Sequence, residues 1–293
     1  MHFNDLLSMA SLEPTRVAIM LHTPVLAHQK RLLMALVDDA PDLFEAYQDN
    51  HPRNSESTLK ARPFAASFVV DEGSECRFVG LYAVDGWTVR TATELDADPR
   101  RQALMTRFRG ASFTELASQT GQPGRAVFTL RPLPALADLR GRLIVPRPPG
   151  RSYMRLAENC DLPVLSVERS ARFSPPPPDW TNFVVTAADL RGLPRDWQAR
   201  LREWRGVYLV TDQTDGARYV GSAYGETNLL GRWMAHVAGD IGVTVELTLR
   251  NPSTFRFSIL QLVAPTAAGD EVMAAEANWK YRLDTRTWGL NRN

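Results

Sequence analysis

Two tyrosines, an arginine and a histidine in the last third of the chain have the types and spacing to act on an anionic phosphate. Tyr208 and Tyr219 flank Asp212-Gln213-Thr214-Asp215-Gly216, a turn composition, and the segments 205–210 and 217–222 around it are apolar and aromatic. The simplest reading is a β-hairpin that puts both phenols on neighbouring strands, near enough to serve one site. Gly206 and Gly221 at its outer ends let another backbone or a ligand approach closely.

Downstream, 228–238 reads as a helix with Thr227 as its N-cap and Leu229, Leu230, Trp233 and Val237 as its apolar face. Arg232 and His236 stand i and i+4 on a second face, a cation beside an imidazole one turn apart. A strand over 255–263 and a helix over 268–284 follow, the helix covering a core with Val272, Ala275, Trp279 and Leu283. Glu276 and Lys280 share one flank of it; taken alone they are an ordinary surface pair worth about 0.5 kcal/mol.

Gly206-Val207-Tyr208 and Tyr219-Val220-Gly221, with this arginine, histidine and glutamate in order behind them, resemble the motifs of the GIY-YIG nuclease superfamily, with Val for Ile in both triplets. The resemblance covers 193–291. It implies an endonuclease that hydrolyses phosphodiester bonds on a small module, a three-stranded antiparallel sheet flanked by helices. The family's helix arginine falls on Arg232, the residue one turn later on His236, the metal-binding glutamate on Glu276 and the terminal asparagine on Asn291.

The implied mechanism uses one hard divalent cation per site, Mg²⁺ or Mn²⁺, on Glu276 and completed by waters and phosphate oxygens. Arg232 and the metal would neutralise charge developing on the phosphate, with Lys280 a further candidate for a phosphate contact. Tyr208 is the candidate base for the attacking water, helped by Tyr219 or His236. Because a free phenol titrates near pH ~10 and an imidazole near ~6.5, His236 is the alternative base.

These side chains need a scaffold, and 293 residues provide for two domains. The run Ser174-Pro175-Pro176-Pro177-Pro178-Asp179 divides the chain into 1–173, a proline-rich linker at 174–180, and the nuclease domain at 181–293. That last domain opens with a short apolar run at 183–185 and a helix at 195–204. In 1–173, helical stretches at 4–10 and 25–47, the latter with Leu32, Leu33, Leu36 and Val37 at helical spacing, precede short apolar runs at 68–70, 78–84, 87–89, 127–130, 143–145 and 164–167, with one helix at 99–108. The expected fold is therefore α+β, a mostly β domain with helices leading into the small three-stranded module.

Hydrophobic residues at 44% and charged residues at 23% are globular proportions, which excludes wholesale disorder. No apolar stretch approaches membrane-span length, and Asp5 and Glu13 behind Met1 do not make a signal peptide, so a cytoplasmic location is expected. Cys76 and Cys160 form neither a disulfide framework nor a zinc motif. A net charge of +1 leaves DNA binding to a local basic groove.

Residues 1–173 would choose the DNA site. Phe78, Tyr82 and Trp87 could form an aromatic pocket for a flipped base, with Arg147, Arg151 and Arg155 on phosphates; core aromatics and solvated arginines are the plainer alternative. The expected function is a restriction or defence endonuclease reading sequence or modified bases. A structure-specific repair nuclease and a DNA-binding protein with an inactive nuclease module are the alternatives. With one site per chain, cutting both strands calls for a homodimer or sequential nicking. Asp240 and Glu246 read as solvated.

Overall fold

The run Val17–His22 is buried at every residue and forms strand β1, the pattern of a strand covered on both faces. The protein's computed structural model describes residues 1–71, 73–150, 152–239, 247 and 249–292. The chain forms two compact units, Met1–Ser174 and Pro175–Asn293. Arg151, Asp240 and Glu246 lie outside the described residues.

In the first unit β1 joins β2 (Phe64–Val70), β3 (Glu75–Thr91), β4 (Gly124–Pro132), β5 (Leu143–Pro146), β6 (Met154–Leu156) and β7 (Ser166–Val167). Their order is β6-β1-β2-β3-β5-β7, with β4 also on the long β3. β1 and β2 are parallel, which requires a crossover. Helices Ala27–Asp39, Pro41–Gln48 and Arg53–Lys60 supply it. The other pairings are antiparallel.

A seven-stranded mixed sheet with helices Phe3–Met9, Ala92–Asp96, Pro99–Phe108 and Phe113–Thr120 besides those three overturns the expected mostly β domain with one interrupting helix. The helical stretch expected at 25–47 is two helices, broken at Ala40, because Pro41 has no N–H to continue the first. Phe113–Thr120 buries no residue, and capping holds it: Glu115 N–H donates to Ser112 Oγ, and Ser112 N–H to the Glu115 carboxylate.

The second unit is one antiparallel sheet, ordered β10-β9-β11-β8, of β8 (Val184–Thr186), β9 (Arg205–Asp212), β10 (Arg218–Ala223) and β11 (Phe255–Val263). The expected three-stranded module is thus corrected to four strands. β8 is a three-residue edge strand against Arg256–Ser258, too short to show a strand period. Helices Asn228–Ala238 and Gly269–Arg282 pack on this sheet, and Arg195–Glu203 packs on Asn228–Ala238. Trp197, Leu229, Trp233, Phe255 and Phe257 fill the core beside Tyr208 and Tyr219.

Candidate active site

Both outer glycines of the hairpin answer to close approaches. At Gly206, β9 passes a bulge in β11 between Ile259 and Gln261, and a Cβ would lie 2.0 Å from the Gln261 carbonyl oxygen. Gly221 pairs directly opposite Tyr208, and a Cβ there would lie 2.5 Å from Tyr208 Oη. The phenol of Tyr208 therefore lies across a strand position that only glycine leaves open.

Tyr208 is fully buried, and its Oη is 2.7 Å from His236 Nε2. Three other rings hold the imidazole: Tyr219 edge-on at 5.8 Å, Phe257 stacked at 6.4 Å and the tilted ring of Tyr208 itself at 5.7 Å. Burial pushes the Tyr208 phenol well above its ordinary value, Tyr219 adding to the rise and Arg232 opposing it. Burial, with the Arg232 cation second, lowers His236 to about 4. At neutral pH the pair is thus a neutral phenol against a neutral imidazole, one of whose nitrogens is free of a proton and able to accept one.

Arg232 is partly exposed, and its Nε is buried without a hydrogen-bond partner among the described residues. Glu276 comes from the last helix. Ser222 Oγ donates to Glu276 Oε2, and Lys280 Nζ lies 2.7 Å from Oε1. The Glu276–Lys280 pair is no surface pair, since only 15% and 6% of the two side chains are exposed. Ser222 escaped the reading of the sequence; its one local signal is its place directly after Gly221 on β10.

Asn291 is fully buried and bonds the backbone of Val220 twice, accepting from its N–H at 2.9 Å and donating to its C=O at 2.8 Å. Leu290 N–H adds a bond to the Arg218 carbonyl at 2.8 Å. β10 is the edge of its sheet, and residues 290 and 291 occupy part of that edge. Thus Tyr208, Tyr219, Arg232, His236 and Glu276 meet through contact or field, Lys280 stands behind Glu276, and Asn291 holds the strand that carries Tyr219.

Among the described residues no group of three or more His, Cys, Asp or Glu could hold a metal. The donors present are one carboxylate and the Ser222 hydroxyl beside it. They fit a hard cation that keeps much of its water and takes phosphate oxygens, as Mg²⁺ does, and not one that needs an all-protein cage.

The aromatic residues singled out in the first unit do not share a pocket. Phe78 is in the core, Tyr82 is buried with its hydroxyl donating to Glu45 Oε1 at 3.2 Å, and Trp87 is half exposed with Lys60 over its ring. Arg155 donates to the carbonyls of Ser152 and Pro149, and Arg147 is exposed. No helix among the described residues is long and apolar enough to cross a membrane.

No known protein-family profile and no curated protein match the chain. Two solved structures do. One is a point mutant of the catalytic domain of intron endonuclease I-TevI, 22% identical, covering 31% of this chain and 94% of that one, with a TM-score of 0.27. The other is the catalytic domain of homing endonuclease I-TevI, 23% identical, covering 30% and 98%, with a TM-score of 0.26. Part of this chain, under a third of its length, is thus distantly similar to the catalytic domain of a homing endonuclease.

Proposed function

We propose that the second unit is an endonuclease site that hydrolyses phosphodiester bonds in DNA. The observation that carries this reading is the meeting of Tyr208, His236, Arg232 and Glu276, which come from one strand and two helices. The attacking water gives its proton to Tyr208 Oη as the tyrosine passes its own to His236 Nε2, so neither a standing phenolate nor an imidazolium is required at the start. Tyr219 holds the imidazole from its edge. Arg232 offers its guanidinium to the phosphate.

Glu276, kept in place by Ser222 and Lys280, would hold Mg²⁺ or Mn²⁺, which supplies positive charge to the phosphate oxygens when bound. Lys280 acts through Glu276, and Asn291 is a positioning residue for β10.

The first unit would select the DNA, which makes a restriction or defence nuclease the leading role. The test is digestion of plasmids bearing cytosine, 5-methylcytosine or 5-hydroxymethylcytosine with Mg²⁺, by the protein and its Glu276→Ala variant. Cleavage of one plasmid class, abolished in the variant, is expected. Equal cleavage by the variant removes Glu276 from the site, and binding without cleavage by either protein overturns the enzymatic reading.

A further inference from the structure

The first unit contains a cavity of about 290 Å³ at the carboxyl end of β1, the strand paired in parallel with β2. Its wall includes His22, Thr23, Tyr47, Asn50, His51 and Tyr153. Ends of parallel strands are where open α/β sheets bind ligands. The volume sits at the lower bound of small-molecule sites, about 300 Å³ and up, and suits one compact ring system.

The wall mixes polar side chains with aromatic and proline faces and holds no Asp, Glu, Lys or Arg. His22 and His51 are only 4% and 2% exposed, and Nε2 of each has no hydrogen-bond partner among the described residues. Burial lowers His22 to about 3, with His51 adding to the effect. Burial likewise lowers His51 to about 4, against the opposing charge of Glu56. Burial raises the Tyr47 phenol to about 12 and the Tyr153 phenol in the same direction. At neutral pH these four side chains therefore present no charge, and nothing in them selects a phosphate or carboxylate.

They do present aromatic faces and hydrogen-bonding atoms that can serve either way. The Tyr47 ring packs against His22 at 5.4 Å and Phe108 at 5.5 Å, and His51 against Tyr153 at 5.9 Å. His51 Nδ1 is 3.1 Å from Tyr153 Oη, so the direction of that bond decides whether Nε2 donates or accepts. Asn50 lines the same wall, its amide nitrogen donating to the Ala126 carbonyl at 3.1 Å. A neutral planar ring with mixed donors and acceptors is the complement of such a wall.

Directly after Pro24, also a lining residue, the chain exposes Val25 by 90% and Leu26 by 50%. Apolar side chains at such a mouth are of the kind that wedge between base steps.

We propose that this cavity binds a single nucleobase ring. Its source is a base extruded from DNA, with Val25 and Leu26 entering the gap it leaves. This source rests on the nuclease reading above, whereas the ring itself could also arrive as a free nucleoside.

The test uses the full chain in EDTA, so that no strand is cut, with two probes. Fluorescein-labelled duplexes, fully paired or carrying one mismatch, are read by anisotropy, because a mismatched base costs less to extrude. Deoxyadenosine, deoxycytidine and 5-methyldeoxycytidine are read by saturation-transfer NMR. Thr23→Trp fills the cavity from a partly exposed loop position, and His51→Phe keeps the ring shape while removing its nitrogens.

The expected result is a preference for the mismatched duplex of at least about tenfold in the wild type, lost in both folded variants while affinity for paired duplex stays the same. Nucleoside binding blocked by Thr23→Trp, with no duplex bound at all, supports the cavity and removes its DNA source, while the nuclease reading stands or falls on Mg²⁺-dependent plasmid cleavage. A mismatch preference or nucleoside signal unchanged in both variants overturns the proposal. So does the absence of both in the wild type, and Mg²⁺-dependent plasmid cleavage would then leave the nuclease reading standing.

Discussion

Tyr208 Oη and His236 Nε2 lie 2.7 Å apart in the buried interior of the second unit, one from β9 and the other from the helix behind it. Neither group alone is a ready base. The phenol is pushed up by burial, and the imidazole, although neutral, is enclosed by aromatic rings. In the proposed reaction they form a two-step proton path, whose behaviour with pH can be measured.

The lowered value of His236, about 4, leaves its acceptor nitrogen free well below the ordinary histidine range. The acid limb of kcat/KM for plasmid cleavage is therefore expected near pH 4 and not near ~6.5. A profile recorded from pH 3.5 to 9 checks this, and an acid limb at the ordinary histidine value would remove His236 from the proton path. Since folding favours the neutral ring, stability owed to this group is full above the unfolded value of ~6.5 and declines as pH falls towards 4.

Glu276→Ala removes the carboxylate beside a buried ammonium, so it should lower stability by about 3 kcal/mol as well as activity. Combining it with Lys280→Met should restore most of the stability and none of the cleavage. Urea unfolding of both variants beside a cleavage assay separates the two effects. Recovery of activity in the double variant would make Glu276 a purely structural partner of Lys280.

Gly221→Ala places a methyl group 2.5 Å from Tyr208 Oη. The ring must move, at a cost of roughly 1–3 kcal/mol, and its hydrogen bond to His236 moves with it. A large fall in kcat in a variant that still folds is expected. An unchanged kcat would show that the position of the phenol does not matter to the reaction.

Asp212 is held at about 2, burial working against this and the Arg250 guanidinium, Thr214 N–H and Thr254 hydroxyl outweighing it. A carboxylate depressed on folding stabilises the fold above its unfolded value, near ~3.9, and that contribution is lost as pH falls through about 2. The wild type should lose more thermal stability between pH 4 and 2 than Asp212→Asn does. Parallel melting curves for the two proteins would contradict the linkage.

The chemistry-bearing hairpin and helices of the second unit were legible because their signals are local: glycine and tyrosine at set offsets around a turn, and i,i+4 pairs on one helix. β8 showed only as the short apolar run at 183–185, since three residues carry no period, and its partner Arg256–Ser258 lies far along the chain. β1 was missed because a continuous apolar run of five residues, closed by His22, has no alternation. His22 and His51 show no ligand spacing in sequence, and only the path of the chain from β1 through the crossover helices brings them to one wall. Ser222 gains its role solely from Glu276, which lies 54 residues away.

Asn291 reaches Val220 across 71 residues of chain and bonds both polar backbone groups of that edge-strand residue. An edge left with open N–H and C=O groups is a template for another chain. A molecule clipped before Asn291 would keep Tyr208, Tyr219, Arg232, His236 and Glu276 and still present bare strand backbone beside them. The expected failure is then self-association through β10 as well as slower chemistry, both following from the loss of one side chain's two bonds to Val220.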